Sequence, residues 1–200
     1  MQQEERTLDL SPVTLEGMHV RLEPLTKAHR DALVEAARDG GLWKLNVTRV
    51  PSQKTMAAYI DAALAARDEG RQLPFAIIHR GSGNVAGSSR FCHIEPADLR
   101  VEIGYTWLAA TFQRTSLNTE AKLLMLTHAF ETWGCVRVEF LTDVLNERSR
   151  NALVRIGARE EGVLRYHMIM PDGRYRDSVC YSIIAPEWAA VKAALRARLR

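Results

Sequence analysis

The sequence predicts an α+β (mixed α/β) fold, with one mixed sheet of about seven strands flanked by helices on both faces. Three observations lead there. Stretches of period two and period 3.6 interleave in the order β-α-α-β-β-β-α-β-α-β-β-α. The strands at 100–108 and 137–142 are joined through one helical segment, which makes them parallel neighbours. Gly81-Ser82-Gly83-Asn84 and Pro171-Asp172-Gly173 are turn signals between β-rich runs, so their flanks form antiparallel hairpins.

Residues 1–13 show no periodicity and read as a loose arm; residues 14–200 form one domain. His19 to Leu25 alternates as a first strand. Thr26 caps a helix reaching Ala37, which Gly40-Gly41 stops. Ser52 caps a second helix, 53–69, ended by Gly70. The linker between them, 42–51, holds Leu42, Trp43, Leu45, Val47 and Val50, too apolar for a plain solvent loop. Phe75–His79 and Val85–His93 are the first hairpin, and Arg100–Leu108 is the fourth strand. A third helix, 119–133, leads to the strand Arg137–Thr142. Asn146–Ile156 is a short helix ended by Gly157. The segments 159–170 and 174–184 close the sheet, and Pro186 suits the first turn of a final helix.

Two hundred residues at 46% hydrophobic are enough for one domain with a substantial core. A net charge of +3 suits an anionic ligand without arguing for nucleic acid. The basic end, Arg196, Arg198 and Arg200, complements a helix dipole and needs no RNA to explain it. Three cysteines without paired spacing read as reduced, buried thiols of a cytoplasmic protein. The polar N-terminus and the lack of a long apolar run argue against a signal peptide and a membrane span. The six histidines show no metal-ligand spacing, so no metal is expected.

The most informative stretch runs from Val101 to Glu120. An apolar strand ends in a polar turn, Gln113-Arg114-Thr115-Ser116-Leu117-Asn118-Thr119, and an apolar-periodic segment follows at once. Such a turn leaves backbone N–H groups of 114–119 at a helix N-terminus, where orphan donors and the dipole favour an anion. It is neither a Walker loop nor a dinucleotide fingerprint.

This turn resembles the pyrophosphate-binding [QR]-x-x-G-x-[GA] turn of the GCN5-related N-acetyltransferases (GNATs), although Ser116 replaces its first glycine and Asn118 its final glycine or alanine. The blocks V-E-I-G-Y-T-W-L, N-T-E-A-K-L-L and L-N-E-R-S-R-N-A-L-V-R-I-G-A-R-E-E-G extend the likeness over residues 15–184. They resemble the branch that includes the ribosomal-protein N-terminal acetyltransferases of RimJ/RimL type. The resemblance implies acetyl-CoA as cosubstrate and a primary amine as acceptor, on a peptide or a small molecule. It places the pyrophosphate on Gln113–Thr119, with Arg114 as charge partner, and pairs pantetheine with the main chain of Trp107, Leu108 and Ala109. It sets the Asn146 amide against pantetheine and the Ser149 hydroxyl near the sulfur, in a gap between two splayed strands. Leu153 stands where many relatives carry a Tyr that acts as acid for the thiolate. Homodimers are common among such proteins.

Acetyl transfer requires a neutral amine near the thioester, donors for the oxyanion and a hydrogen bond for the departing sulfur. Glu102 and Glu139 are carboxylates in apolar strands beside the expected gap, and either is a candidate base. Glu102 is preferred because it stands in the E-I-G-Y block. Trp43 and Asn46 in the 42–51 linker are candidates for acceptor contact, as a lid over a cleft or as a plug under the loop. A catalytically silent CoA-binding regulatory module is the competing reading; only the enzyme releases thiol when offered an amine.

Overall fold

The computed structural model describes residues 8–199. Its strands are β1 (Leu15–Glu16), β2 (Val20–Pro24), β3 (Leu73–His79), β4 (Val85–Glu95), β5 (Arg100–Leu108), β6 (Arg137–Asp143), β7 (Arg159–Ile169) and β8 (Tyr175–Ile184). They form one eight-stranded sheet in the order β1-β2-β3-β4-β5-β6-β8-β7, antiparallel except for β5 beside β6. The seven expected strands are all present. The eighth is β1, two residues long and too short to leave a period in the sequence.

Helices α1 (Arg30–Arg38), α2 (Met56–Asp68), α3 (Ser116–Thr127), α4 (Glu147–Arg155) and α5 (Ala185–Ala197) complete the mixed α/β layers. Alternation on β3 sends Phe75 and Ile77 to one face of the sheet and Ala76 and Ile78 to the other. The first face packs on α3 and α5 through Phe91, Met125, Trp133 and Tyr181. The second is covered by α1 and α2 through Leu33, Met56 and Ile60.

Three boundaries differ from expectation. Thr26 opens a 3-10 turn, Lys27–His29, before α1 begins. Ser52–Thr55 is a turn closed by Met56 N donating to Ser52 O at 2.9 Å, so α2 starts at Met56. Helix α3 begins at Ser116, not at 119, because the Thr115 hydroxyl caps it by accepting from Leu117 N at 3.3 Å. Its C-terminal end becomes one π-turn, His128–Thr132.

The described part of the expected loose arm is tied down. Leu8, Leu10 and Val13 pack on the core, and Trp133 Nε1 donates to Asp9 O at 2.8 Å. Residues 1–7 and Arg200 lie outside the described residues. Helix α3 is anchored at its start, where the buried Glu120 carboxylate accepts from the N–H groups of Met18, His19 and Val20, each at 2.7 Å. Cys92 and Cys135 are buried, Cys180 is half-buried, and all three are free thiols. No helix among the described residues is long and apolar enough to cross a membrane.

Candidate active site

Strands β5 and β6 pair only at Arg100–Arg137, Val101–Val138 and Glu102–Glu139. Beyond that point β5 runs on to Leu108 and β6 to Asp143 without a further ladder between them. On its other side β5 stays paired to β4, with a bulge at Tyr105 (φ 52°), where Arg90 faces Gly104 but Ser88 faces Trp107. The β6-facing main chain of β5 beyond Glu102 therefore has no strand partner, although Leu108 O on that side accepts from the Gln113 side chain. The side chains of Trp107, Leu108 and Ala109 are buried, and Ala109 N already donates to Ala86 O at 2.8 Å.

The polar turn follows that strand end. Gln113 Nε2 donates to Leu108 O at 2.7 Å, and its Oε1 accepts from Arg148 Nη1 at 2.6 Å. This bridge locks the turn to both β5 and α4. Arg114 takes a left-handed backbone (φ 62°) and its exposed side chain makes no hydrogen bond among the described residues. Thr115 spends its hydroxyl on the cap and on Phe112 O, at 2.7 Å. Leu117 and Thr119 are buried; the Leu117 N–H is already given to the Thr115 hydroxyl, and in a helix starting at Ser116 the Thr119 N–H lies past the orphan donors of the first turn, so the N–H groups left for an anion are those of Ser116 and Asn118. Ser116 and Asn118 remain half-buried at the first helical turn.

Asn146 caps α4: its Oδ1 accepts from Ser149 N at 3.1 Å, leaving its amide N–H₂ uncommitted. The Ser149 hydroxyl is half-buried and makes no hydrogen bond among the described residues. Leu153 is 7% exposed and belongs to the core, so a phenol at that position has no counterpart here.

The two candidate bases have different surroundings. Glu139 lies within an ion network, 2.7 Å from Arg137 Nε and 3.8 Å from Arg100 Nη1. Arg137 also binds Glu161 and, by hydrogen bonding, holds that carboxyl down at about 2. Glu102 is 6% exposed and has one partner, His93 Nδ1 at 2.7 Å. That hydrogen bond raises the His93 pKa above its ordinary value. The glycine of E-I-G-Y has a specific task, since a Cβ on Gly104 would lie 2.7 Å from Glu102 Oε1. Cys92 lies beside this pair, and its Sγ, the imidazole and the carboxylate fall within 4.8 Å of one another, a donor grouping that sequence spacing did not reveal.

Arg90 was also missed by sequence reasoning. It is 3% exposed, with its guanidinium 4.6 Å from the Tyr59 ring centroid and 4.1 Å from that of Tyr105. A charged residue inside the apolar strand run 85–93 was the signal that could have found it, by the argument applied to Glu102.

The linker 42–51 borders an open cavity of about 580 Å³, lined by Trp43, Asn46, Arg49, Tyr59, Met170 and Asp172 among others. Trp43 is 36% exposed, so it is not a buried plug. Two arginines tie the linker to the β7–β8 turn. Arg174 Nη2 donates to Asn46 O at 2.9 Å and to the fully buried Asp143 carboxylate, and Arg49 donates to Ile169 O. The two acceptor candidates thus share one cavity wall, and Tyr59 connects that wall to Arg90.

The family profile described as "Acetyltransferase (GNAT) domain" matches residues 19–159. YdaF of Bacillus subtilis (strain 168), named provisionally as a ribosomal N-acetyltransferase, is 34% identical over 110 residues. That alignment takes in 55% of this chain and 59% of YdaF, little more than half of each. The crystal structure of a GCN5-related N-acetyltransferase from Brucella melitensis superposes with a TM-score of 0.84 at 33% identity, over 95% of this chain and 86% of that one. Mycobacterium smegmatis RimJ, solved with a CoA disulfide, superposes with a TM-score of 0.80 at 25% identity over 96% and 97% of the two chains. Sequence profile, relatives and fold agree: the chain belongs to the GNAT acetyltransferase family, alongside YdaF and RimJ.

Proposed function

We propose that this chain is a cytoplasmic, acetyl-CoA-dependent N-acetyltransferase that moves the acetyl group to a primary amine by direct attack on the thioester. The observation that carries the reading is the parting of β5 and β6 next to a buried carboxylate, with a capped helix end across the gap and an open cavity alongside. Acetyl-CoA supplies the activated acyl group. The N–H groups at the start of α3, with Arg114, suit its pyrophosphate, and the edge of β5 beyond Glu102 and the Asn146 amide suit pantetheine.

The amine enters from the cavity beside Trp43 and Asn46 and gives its proton to Glu102 as the N–C bond forms. The C–S bond breaks, and the Ser149 hydroxyl donates to the departing sulfur. An α-amine, with a pKa of about 7.7–8.0 against about 10.4 for lysine, needs less help to lose its proton at neutral pH. That preference, with the ribosomal N-acetyltransferase name that YdaF carries, favours a protein N-terminus. No step calls for a metal.

The test is a panel of peptide N-termini, amino acids and polyamines offered with acetyl-CoA while free thiol is detected. Thiol release with at least one amine is expected. CoA binding without thiol release from any amine favours a silent CoA-binding module.

A further inference from the structure

A regular sheet would not bring Cys92, His93 and Glu102 together. Cys92 lies opposite Glu102 in the β4–β5 ladder, so their side chains share one face. His93 follows Cys92 directly, and in an unbroken strand its side chain would take the other face. The register breaks between Cys92 and Glu95, and His93 adopts φ 45°, a left-handed backbone uncommon outside glycine. The imidazole is thereby turned back to the carboxylate, with Nδ1 2.7 Å from Oε2. Among the described residues these three are the one group of His, Cys, Asp or Glu in which at least three donor atoms lie within 4.8 Å of one another.

The donors are a thiol, an imidazole and a carboxylate. Zinc takes all three types, whereas magnesium and calcium favour oxygen alone. Metal–ligand distances of about 2.0–2.3 Å in a tetrahedron separate neighbouring donors by roughly 3.3–3.6 Å. The spacing here brackets that range, from 2.7 Å between Nδ1 and Oε2 to an upper limit of 4.8 Å. Cys92 and Glu102 are buried on paired strands, whereas the His93 side chain is 67% exposed. It can swing to open the pair and admit an ion from solvent. Gly104 keeps the spot clear, since a Cβ there would stand 2.7 Å from Glu102 Oε1 and 3.1 Å from Cys92 Sγ. A thiolate and a carboxylate match the two positive charges of the ion. Arg90 and Lys122, the cations within electrostatic reach of Cys92, both favour its thiolate.

We propose that Cys92, His93 and Glu102 bind one zinc ion, and that the ion shuts off acetyl transfer by occupying the Glu102 carboxylate. The ion takes the place of the proton between His93 and Glu102. The imidazole binds in its neutral form, and the Cys92 thiol gives its proton to the buffer as the S–Zn bond forms. Three protein ligands leave the fourth position to water. The inhibitory half of the proposal rests on the reading of Glu102 as base; the binding half does not.

Titrated with zinc in a calorimeter, the untagged, reduced chain should take up one equivalent and release it to a chelator. Cobalt(II) in place of zinc should give a thiolate-to-metal charge-transfer band, which reports Cys92 directly. Cys92→Ala and His93→Gln should each weaken zinc by more than about tenfold, since the loss of even an outer-shell partner costs about 10–100-fold. Cys92→Ala should also abolish the band, and magnesium should not bind. Melting temperatures without metal check both variants. His93→Gln changes an exposed side chain, so it keeps the test open if the buried Cys92→Ala change unfolds the chain. Absence of zinc binding overturns the proposal, as does binding that survives both substitutions.

Activity supplies a second readout, with the acetylated amine followed by mass because zinc also takes up free thiol. Zinc should inhibit over the concentrations at which it binds, and chelator should restore the rate. Cys92→Ala, which removes a group that acetyl transfer does not use, should stay active with zinc present. Zinc binding at full activity overturns the inhibitory half and, with it, the reading of Glu102 as base. If no amine is acetylated while zinc still binds through these residues, the acyltransferase reading fails and the zinc site survives.

Discussion

Glu102 occupies the last paired position of two strands that then part, and Gly104 leaves the space its carboxylate fills. If it is the base, Glu102→Gln should lower kcat/KM by roughly 10²–10⁴, with the loss shrinking as pH rises and the amine deprotonates unaided. Near-full activity across the pH range would move the assignment to Glu139. The His93 partner adds a second signature. Because Glu102 raises its pKa, the imidazole keeps its proton above the ordinary 6.5. As pH climbs through that raised value the imidazolium loses its charge, and the hydrogen bond it gives Glu102 changes from charged to neutral. The ratio of wild-type to His93→Gln activity should therefore change with pH above about 6.5; superimposable profiles would remove His93 from the chemistry.

A second residue is informative for stability. Lys122 on α3 is buried, with Nζ 2.6 Å from Thr106 Oγ1, and burial pushes its pKa down to about 7. The unfolded chain keeps this proton up to about 10.4. Between those values the unfolded state binds more protons than the folded one, so folding stability rises with pH, by at most about 1.4 kcal/mol per unit. Lys122→Met leaves Ser89 and Thr106 bonded to each other at 2.7 Å. It should raise the melting temperature at pH 7 and flatten its rise toward pH 10. A pH slope unchanged in the variant would mean that the ammonium is solvated in solution.

At the scale of elements, the 113–119 turn allows a clean separation of charge from shape. Arg114 has φ 62°, a conformation that costs an L-residue about 1–2 kcal/mol and glycine little. Arg114→Gly should hold or raise thermal stability while weakening CoA about tenfold or more, and should leave dephosphorylated pantetheine nearly unaffected. Equal loss for both ligands would place the pyrophosphate elsewhere. In the linker, Trp43→Ala should raise the acceptor KM with CoA affinity within about twofold, the pattern of lost uniform binding. A fall in melting temperature without a KM change would make Trp43 structural.

Legibility in the sequence follows from locality. Alternation, turn dipeptides and the one-helix connection sufficed for the seven long strands and the parallel pair, because each signal spans only a few residues. The start of α3 was misread because Ser116–Thr119 is polar, and what decides its state is the Thr115 cap. Asn146 was readable as a cap for the same local reason. The His93–Glu102 pair depends on a strand register, and the Arg174–Asn46 bond joins residues 128 apart in sequence. No local pattern encodes either contact. The candidate site was legible where it is built from one segment, the turn, and illegible where distant strands converge.

For the whole molecule, the outstanding feature is the sheet edge. Strand β7 is last in the order, eleven residues long, and exposed along almost its entire length. Val163, Leu164, Tyr166 and Ile169 on it are 46–74% exposed, and Tyr175 beside them is 58% exposed. A long apolar edge with unpaired N–H and C=O groups is an association hazard unless it is covered. A second copy of this chain is the occupant to test. Antiparallel pairing of two β7 strands about Val163, between the irregularities at Gly162 and Tyr166, would bring Glu161 opposite Arg165 of the partner subunit, a self-complementary arrangement of the kind a two-fold interface needs. Light scattering should give twice the chain mass of 22.5 kDa. The double substitution Leu164→Lys and Tyr166→Asp lies on exposed positions of the edge, so it should yield folded monomer with an unchanged circular dichroism spectrum. A wild-type monomer at micromolar concentration, or a dimer indifferent to both changes, would show that this edge is not where two copies meet.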